Sequence, residues 1–315
     1  MIGTYAGPRD PGTALVHAMH AMGTIEGVGG AWGYVEGGMG RISVALADAA
    51  RAAGALVVTG VEVGAVVPGE GVRLEGGELV RAATVVSNAD PKRTVALCGD
   101  DVPDHYRRRV QEWRTDSPVV KVNCGLTHLP RFTAAGPADR PHRAMVTVST
   151  GVDATPGGLQ GQPAGRALTG VVRALLPHCI RRQRRPGRAS HHERVRPVRT
   201  RLSGHRRLGQ PSPRDRRPRA GGGEPLRTDV ADVVEHRQVL GPLDVEARVG
   251  LTGGHIFQGE CLPDQMWDRR LATRTPMPGV YLCGAATHPG GGVSAINGRN
   301  AAMAVLADRR RRGKD

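Results

Sequence analysis

"GVYLCGAATHPGGGVSAINGRNAA", residues 279–302, decides how this chain is to be read. An apolar run, Val280-Tyr281-Leu282-Cys283, ends in small residues and three glycines. It continues into an alanine-rich stretch where Ile296, Met303 and Leu306 suggest a helix. A strand, a glycine loop and a helix start supply what a nucleotide phosphate needs: close backbone approach and free N–H groups at a positive helix end. Such a unit ordinarily opens a nucleotide-binding domain. Here it closes the chain, so its partners must be sought upstream.

Upstream, "GGMGRISVALADAARAAGA" (37–55) predicts a glycine-led amphipathic helix. Ile42, Ala45, Leu46, Ala49 and Ala53 lie at helical spacing, with Gly54 as its stop. "LVVTGVEVGAVV" (56–67) predicts two short strands broken at Gly60. "GVRLEGGELVRAATVVSNAD" (71–90) predicts a hairpin turning at Gly76-Gly77, its second arm running on into Thr84-Val85-Val86. "HYRRRVQEW" predicts a short helix, and "PVVKVNCGL" and "RAMVTVST" predict strands. This mixture of helix, hairpin and returning strand indicates a mixed α/β architecture.

A chain of 315 residues can bury a sizeable core, and 45 glycines with 3% aromatics suit a loop-rich α/β protein. The opening MIGTYAGPRDPG lacks a signal peptide's basic start and apolar core. No apolar run approaches the roughly 18 residues of a membrane span. The five cysteines (Cys98, Cys124, Cys179, Cys261 and Cys283) are scattered and never form CxxC. They read as reduced thiols of a cytoplasmic protein, with no metal site.

The net charge of +15 comes largely from one block. Residues 181–220 hold fifteen Arg and no Lys against Glu193 and Asp215, which leaves the rest of the chain near +2. The block shows neither strand nor helix periodicity and too little apolar surface to offset ordering. It admits three readings: an Arg-rich arm for nucleic acid, a disordered insertion, or a segment translated out of frame. The last is favoured, because a shifted frame in GC-rich coding DNA yields Arg, Pro, Gly, Ser and His with few Lys, Ile or Phe. It predicts that another frame of codons 178–230 encodes apolar, strand-patterned sequence.

Three pieces in order, "GGMGRISVALADAARAAGALVVTGVEV", "ELVRAATVVSNADPKRT" and the closing segment, resemble FAD-dependent oxidoreductases of the phytoene desaturase and amine oxidase type. Within that type the chain resembles the branch called pyridine nucleotide-disulfide oxidoreductase domain-containing protein 2. "AGPRDPGTALVHAMHAMG", "GAWGYVEGGMG" and "VLGPLDVEARVGLTGGHIFQGECLPDQMW" look like the same branch, and the resemblance covers residues 1–175 and 230–308.

That resemblance implies a partial FAD-binding, Rossmann-like domain of the glutathione-reductase type with an interleaved substrate domain. Residues 1–115 and 245–308 would be remnants of the FAD-binding domain with part of the substrate domain. Residues 116–180 would supply substrate-domain strands, 181–228 the Arg-rich segment and 309–315 a basic tail. It further implies that Val63 offers its backbone to the adenine of FAD. Asn88 and Ala89 would lie near the pyrophosphate, and Gly284, Ala285, Gly290, Gly291, Gly292 and Val293 along the ribityl chain and flavin ring. A helix beginning near Val293 would favour negative charge on reduced flavin by about 1 kcal/mol per well-placed donor.

The family opens on a strand–GxGxxG–helix unit, and this chain has no match to it. The nearest look-alike, Gly27-Val28-Gly29-Gly30-Ala31-Trp32, puts Trp where the third glycine belongs. The resemblance therefore places residue 1 inside the family's domain and implies a gene fragment with an interior frame disruption. Its substrate would be a small, apolar molecule, and peripheral membrane contact stays open. No catalytic residue is assigned. His288 is expected to fix its loop by hydrogen bonds rather than move protons. Trp32 and Tyr34 read as core or cavity lining, Cys283 as a buried small hydrophobe, and Arg269 and Arg270 as surface charges.

Overall fold

The structure, a computed structural model, describes residues 4–7, 9–25, 28–29, 33, 35, 38–132, 145–148, 172–175, 190–197 and 230–313. The chain divides into two units. One comprises Met1–Val119, Gly157–Leu159 and Leu240–Asp315; the other comprises Val120–Pro156 and Gln160–Val239. Helices and strands mix along the chain, in keeping with the α/β class expected.

The first unit is organised by a short parallel pair, Val85–Ser87 beside Val280–Leu282. Val280, Tyr281 and Leu282 are all buried, as a central strand requires. On its other side Leu282 donates its N–H to Thr273 O, and Arg274 bridges antiparallel to Tyr281. Among the described residues the far edge of Val85–Ser87 carries no strand. A three-stranded antiparallel sheet, Val63–Val67, Gly71–Leu74 and Leu79–Arg81, stands next in sequence. Its hairpin turns at Gly76-Gly77 as expected, with Gly77 at φ +89°. The second arm does not run on: it ends at Arg81, and the chain then joins the parallel pair, starting with Val85 N–H on Gly279 O. The chain turns sharply at Gly279, at φ +70°, where a Cβ would press on the Ala83 carbonyl.

Helix Pro91–Cys98 packs against strand Val63–Val67 and buries Val95 and Cys98. Helix Asp104–Gln111 adds Tyr106 and Val110 to the same core, which takes in Val66, Trp113, Leu271, Met277, Val280, Leu282 and Ala286. Burial pushes the thiol of Cys98 up to about 11. A smaller cluster joins Val16, from helix Thr13–Ala21, to Cys261 and Met266.

Three expectations for this unit need correction. Helix Gly40–Ala52 forms where predicted, but none of its residues is buried. The chain after it is not a strand: Leu56 is 90% exposed, and Val58 and Val61 are exposed too. A β-prone stretch becomes a strand only beside a partner, and none of the described residues pairs with 56–61. Helix Ile296–Arg312 runs through 309–312. Arginines at a helix carboxyl end suit its negative pole. That helix begins at Ile296 rather than near Val293, after Ala295 in a left-handed conformation at φ +58°. It is latched to the sheet by Asp308, which accepts from Arg274 Nε (2.7 Å) and Nη2 (3.0 Å) and from the Tyr281 hydroxyl (2.9 Å).

The second unit holds a five-stranded sheet in the order Val234–Leu240, Val119–Leu126, Ser190–Pro197, Val172–Leu175, Met145–Val148. In Val119–Leu126 the residues Val122, Cys124 and Leu126 are buried alternately, packing with Val233. Within the Arg-rich block Ser190–Pro197 forms a strand that pairs antiparallel with Val172–Leu175. Ladder bonds use backbone groups that every residue but proline carries in full, so composition alone does not forbid a strand. The rest of 181–228, and Trp32 and Tyr34, lie outside the described residues. No described helix is long and apolar enough to cross a membrane.

Candidate functional site

Because the two strands of the pair are parallel, their carboxyl ends reach one edge together. Ser87 leads to Asn88, Ala89 and Asp90, and Leu282 to Cys283, Gly284 and Ala285. Cys283 N–H donates to Ser87 O at 2.9 Å, so the two exits begin hydrogen-bonded. The Cys283 thiol is half-buried rather than buried, since it sits where the strand ends, and it donates to the same carbonyl at 3.4 Å. Burial raises its pKa.

Asp90 fixes the first exit. Its Oδ1 caps helix Pro91–Cys98 by accepting from Lys92 and Arg93 N–H, at 2.9 and 3.2 Å. Pro91 at the first helical position suits that cap. Oδ2 accepts from Thr252 N–H (2.8 Å) and its hydroxyl (2.9 Å), so one buried carboxylate orders two segments. Gln258 joins the exits directly. Its Nε2 donates to Asn88 O at 3.3 Å, and its Oε1 accepts from Ala286 N–H at 3.4 Å. Its own carbonyl accepts from Trp113 Nε1 at 2.9 Å, and its backbone is left-handed at φ +53°. A residue held that way marks a place where surroundings over-determine the backbone.

The loop 284–295 is braced from within and from the closing helix. Thr287 donates its hydroxyl to Gly284 O at 2.8 Å. Asn297 Nδ2 donates to Thr287 O (2.8 Å), to the Thr287 hydroxyl oxygen (3.1 Å) and to His288 O (3.4 Å). Asn300 Nδ2 adds a bond to His288 O at 3.2 Å. His288 does help fix its loop, but through this carbonyl, while the residue itself is exposed.

The predicted cofactor residues fall into groups. Asn88 (exposed) and Ala89 (half-buried) meet Gly284 (buried) and Ala285 (half-buried) at the strand ends, and 290–293 follow on the same loop. Val63 stands on the antiparallel sheet instead, registered with Leu74. Two glycines have a packing reason. A Cβ at Gly284 would overlap the Gln258 carboxamide, and one at Gly291 would overlap the Phe257 ring. Gly292 faces open space, and Val293 is 71% exposed. Along this edge Asn88, Ala89, Ala285, Gly292 and Val293 have outer faces that are open or partly open. At Gly284 and Gly291 the protein's own side chains already occupy that space.

Sequence reasoning missed Gln258, His255, Asp90 and Asn297. Asp90-Pro91 was a readable helix-start signal; the others act across the chain and leave no local pattern. Arg269 is exposed as expected. Arg270 is not: it is 3% exposed, turned inward across the Trp113 ring with its Cζ 5.8 Å from the ring centroid. Its aliphatic stem and the aromatic face make that burial possible. Among the described residues no group of three or more His, Cys, Asp or Glu could hold a metal ion.

No family model matches the chain. It is 32% identical over 344 residues to pyridine nucleotide-disulfide oxidoreductase domain-containing protein 2 of Rattus norvegicus, aligning 98% of itself with 57% of that protein. It thus spans a little over half the length of that relative. Hydroxyneurosporene desaturase of Cereibacter sphaeroides is 50% identical over 42 residues, 13% of this chain and 8% of the desaturase. A solved oxidoreductase from Methanosarcina mazei aligns with 86% of this chain and 55% of its own, at 14% identity and a TM-score of 0.43, too low to support a fold assignment.

Proposed function

This chain is a homologue, along 98% of its length, of proteins named pyridine nucleotide-disulfide oxidoreductase domain-containing protein 2, and from that kinship we propose that it serves an FAD-dependent oxidoreductase. The reaction is of the desaturase or dehydrogenase kind on a small molecule. In this reading residues 1–115 and 245–308 belong to a Rossmann-like FAD-binding domain with part of the substrate domain, and 116–180 supply substrate-domain strands. Flavin, when bound, supplies the hydride acceptor.

The chain's own residues position and enclose. Asn88, Ala89 and Ala285 present backbone at the joined strand ends, and Gly292 and Val293 continue that surface along the loop, while Gly284, Gly290 and Gly291 let Gln258, Met266 and Phe257 pack close beneath it. Val63 offers its backbone from the neighbouring sheet. Asp90, Gln258 and Asn297 hold these segments still, so that little ordering remains to be done when a ligand arrives. No side chain is assigned a proton-transfer role. The observation that supports the reading best is Gln258 bonding to both Asn88 O and Ala286 N–H, because it makes one surface of two strands distant in sequence.

Purification of the full chain, followed by incubation with FAD and gel filtration, tests this. A yellow protein with flavin absorbance is expected, and a folded but colourless one counts against it. The exposed Leu46, Leu56, Val58 and Met303 favour a second reading, in which the chain by itself retains FAD poorly and aggregates. A colourless, aggregating product would support that second reading.

A further inference from the structure

Beneath Gly290 the guanidinium of Arg270 is poorly served. Only its Nη2 finds partners: Gly259 O at 3.4 Å, Met266 Sδ at 3.3 Å and Cys261 Sγ at 3.8 Å. Its Nε and Nη1 are buried without any partner. Sulfur accepts weakly, and burial with the Glu260 charge nearby pushes the Cys261 thiol up to about 12, so that thiol is neutral. Glu260 is buried beside it, but its oxygens already accept from the N–H groups of Tyr5 (3.0 Å) and Cys261 (2.6 Å). Among the described residues no ion pair reaches Arg270.

His255 makes a second orphan in the same neighbourhood. It is 1% exposed, and burial, with the Arg270 charge adding to it, pushes its pKa down to about 3. The ring is therefore neutral. Its Nδ1 accepts from Phe257 N–H at 3.3 Å, so the proton sits on Nε2, which is buried and has no partner. The result is a run of donors with no acceptor, on a guanidinium whose negative neighbour, the buried Glu260 carboxylate, makes no hydrogen bond to it. A buried polar group without a partner destabilises the fold, and a charged one does so more strongly. Such a cluster asks for a missing anion. Around the donors lie apolar walls, Phe257, Met266 and Trp113. Glycines approach the guanidinium closely: a Cβ at Gly290 would stand 3.4 Å from Nε, and one at Gly259 would crowd Nη1.

We propose that Arg270 and His255 form a receptor for the carboxylate of a small molecule with an apolar body, the oxygens accepting from the free Arg270 N–H groups and from His255 Nε2–H. With the Glu260 carboxylate already buried nearby, a monoanion adds the smaller negative charge and a phosphate dianion twice as much. The receptor deepens the oxidoreductase reading by naming a substrate class, and it replaces a purely apolar substrate with one that carries an acid head. It does not need flavin, since every donor belongs to the chain.

The test is a titration of the full chain with hexanoate, 1-hexanol and inorganic phosphate at fixed ionic strength, read as melting temperature and tryptophan fluorescence. Hexanoate is expected to give a saturable rise in melting temperature and the alcohol and phosphate none. Arg270→Met is expected to lose the response, and Arg270→Lys to weaken it. An equal response to hexanol, a stronger one to phosphate, no saturable response to hexanoate, or a folded Arg270→Met that still responds would each overturn the proposal. The wild-type contrast decides even if the variants fail to fold. A colourless protein that binds hexanoate removes the flavin reading alone; a yellow one indifferent to hexanoate removes this one alone.

Discussion

The helix Gly40–Ala52 and the loop 284–295 are both glycine-associated, and in the sequence both belong to the pieces that resemble one family. In the structure they differ in what holds them. The loop is tied down by buried hydrogen bonds from Thr287, Asn297, Asn300 and Gln258. The helix has a better apolar stripe yet buries nothing, and Leu56 and Val58 after it face solvent. Helical periodicity is enough to form a helix; packing needs a second surface, and specific polar partners can fix a segment that has almost no apolar residues.

That contrast can be broken most forcefully from the core behind the loop. Leu271 is completely buried next to Val280 and Leu282, so Leu271→Ala is expected to cost about 2–5 kcal/mol in urea unfolding. Asp90→Ala removes a helix cap and both bonds from Thr252, for about 2–3 kcal/mol. Acid should act next. His255 takes up its proton near 3 when folded and near 6.5 when unfolded, so above pH 6.5 the difference contributes nothing. As pH falls below 6.5 the unfolded chain gains a proton that the folded one refuses. Stability should then drop by up to about 1.4 kcal/mol per unit, or about 2 kcal/mol by pH 5, and His255→Gln should flatten that slope. Leu46→Ser, on the exposed helix, is expected to stay within about 0.5 kcal/mol. A loss well above that would show the helix is packed after all.

Much of the scaffold was legible. The strand at Val280, the turn at Gly76-Gly77 and the helices at 40–52 and 104–111 follow from periodicity and glycine placement, which are local signals. The internal wiring of the site was not. Gln258 lies 170 residues from Asn88, and no short-range pattern announces that a carboxamide will fill the space beside Gly284. Arg269 and Arg270 look identical in sequence, but only one faces inward, because burial of a long cation depends on the ring and sulfurs that happen to meet it. The strand at Ser190–Pro197 escaped for a related reason: pairing was supplied by a neighbour, whatever the side chains.

The Asp308 latch has a consequence for how the molecule wears at its end. Four successive arginines follow it, all open to trypsin, whereas the bonds to Arg274 and Tyr281 pin the helix one residue earlier. Limited digestion should trim those arginines quickly and then stall, leaving a trimmed product whose sheet is still clasped by its final helix.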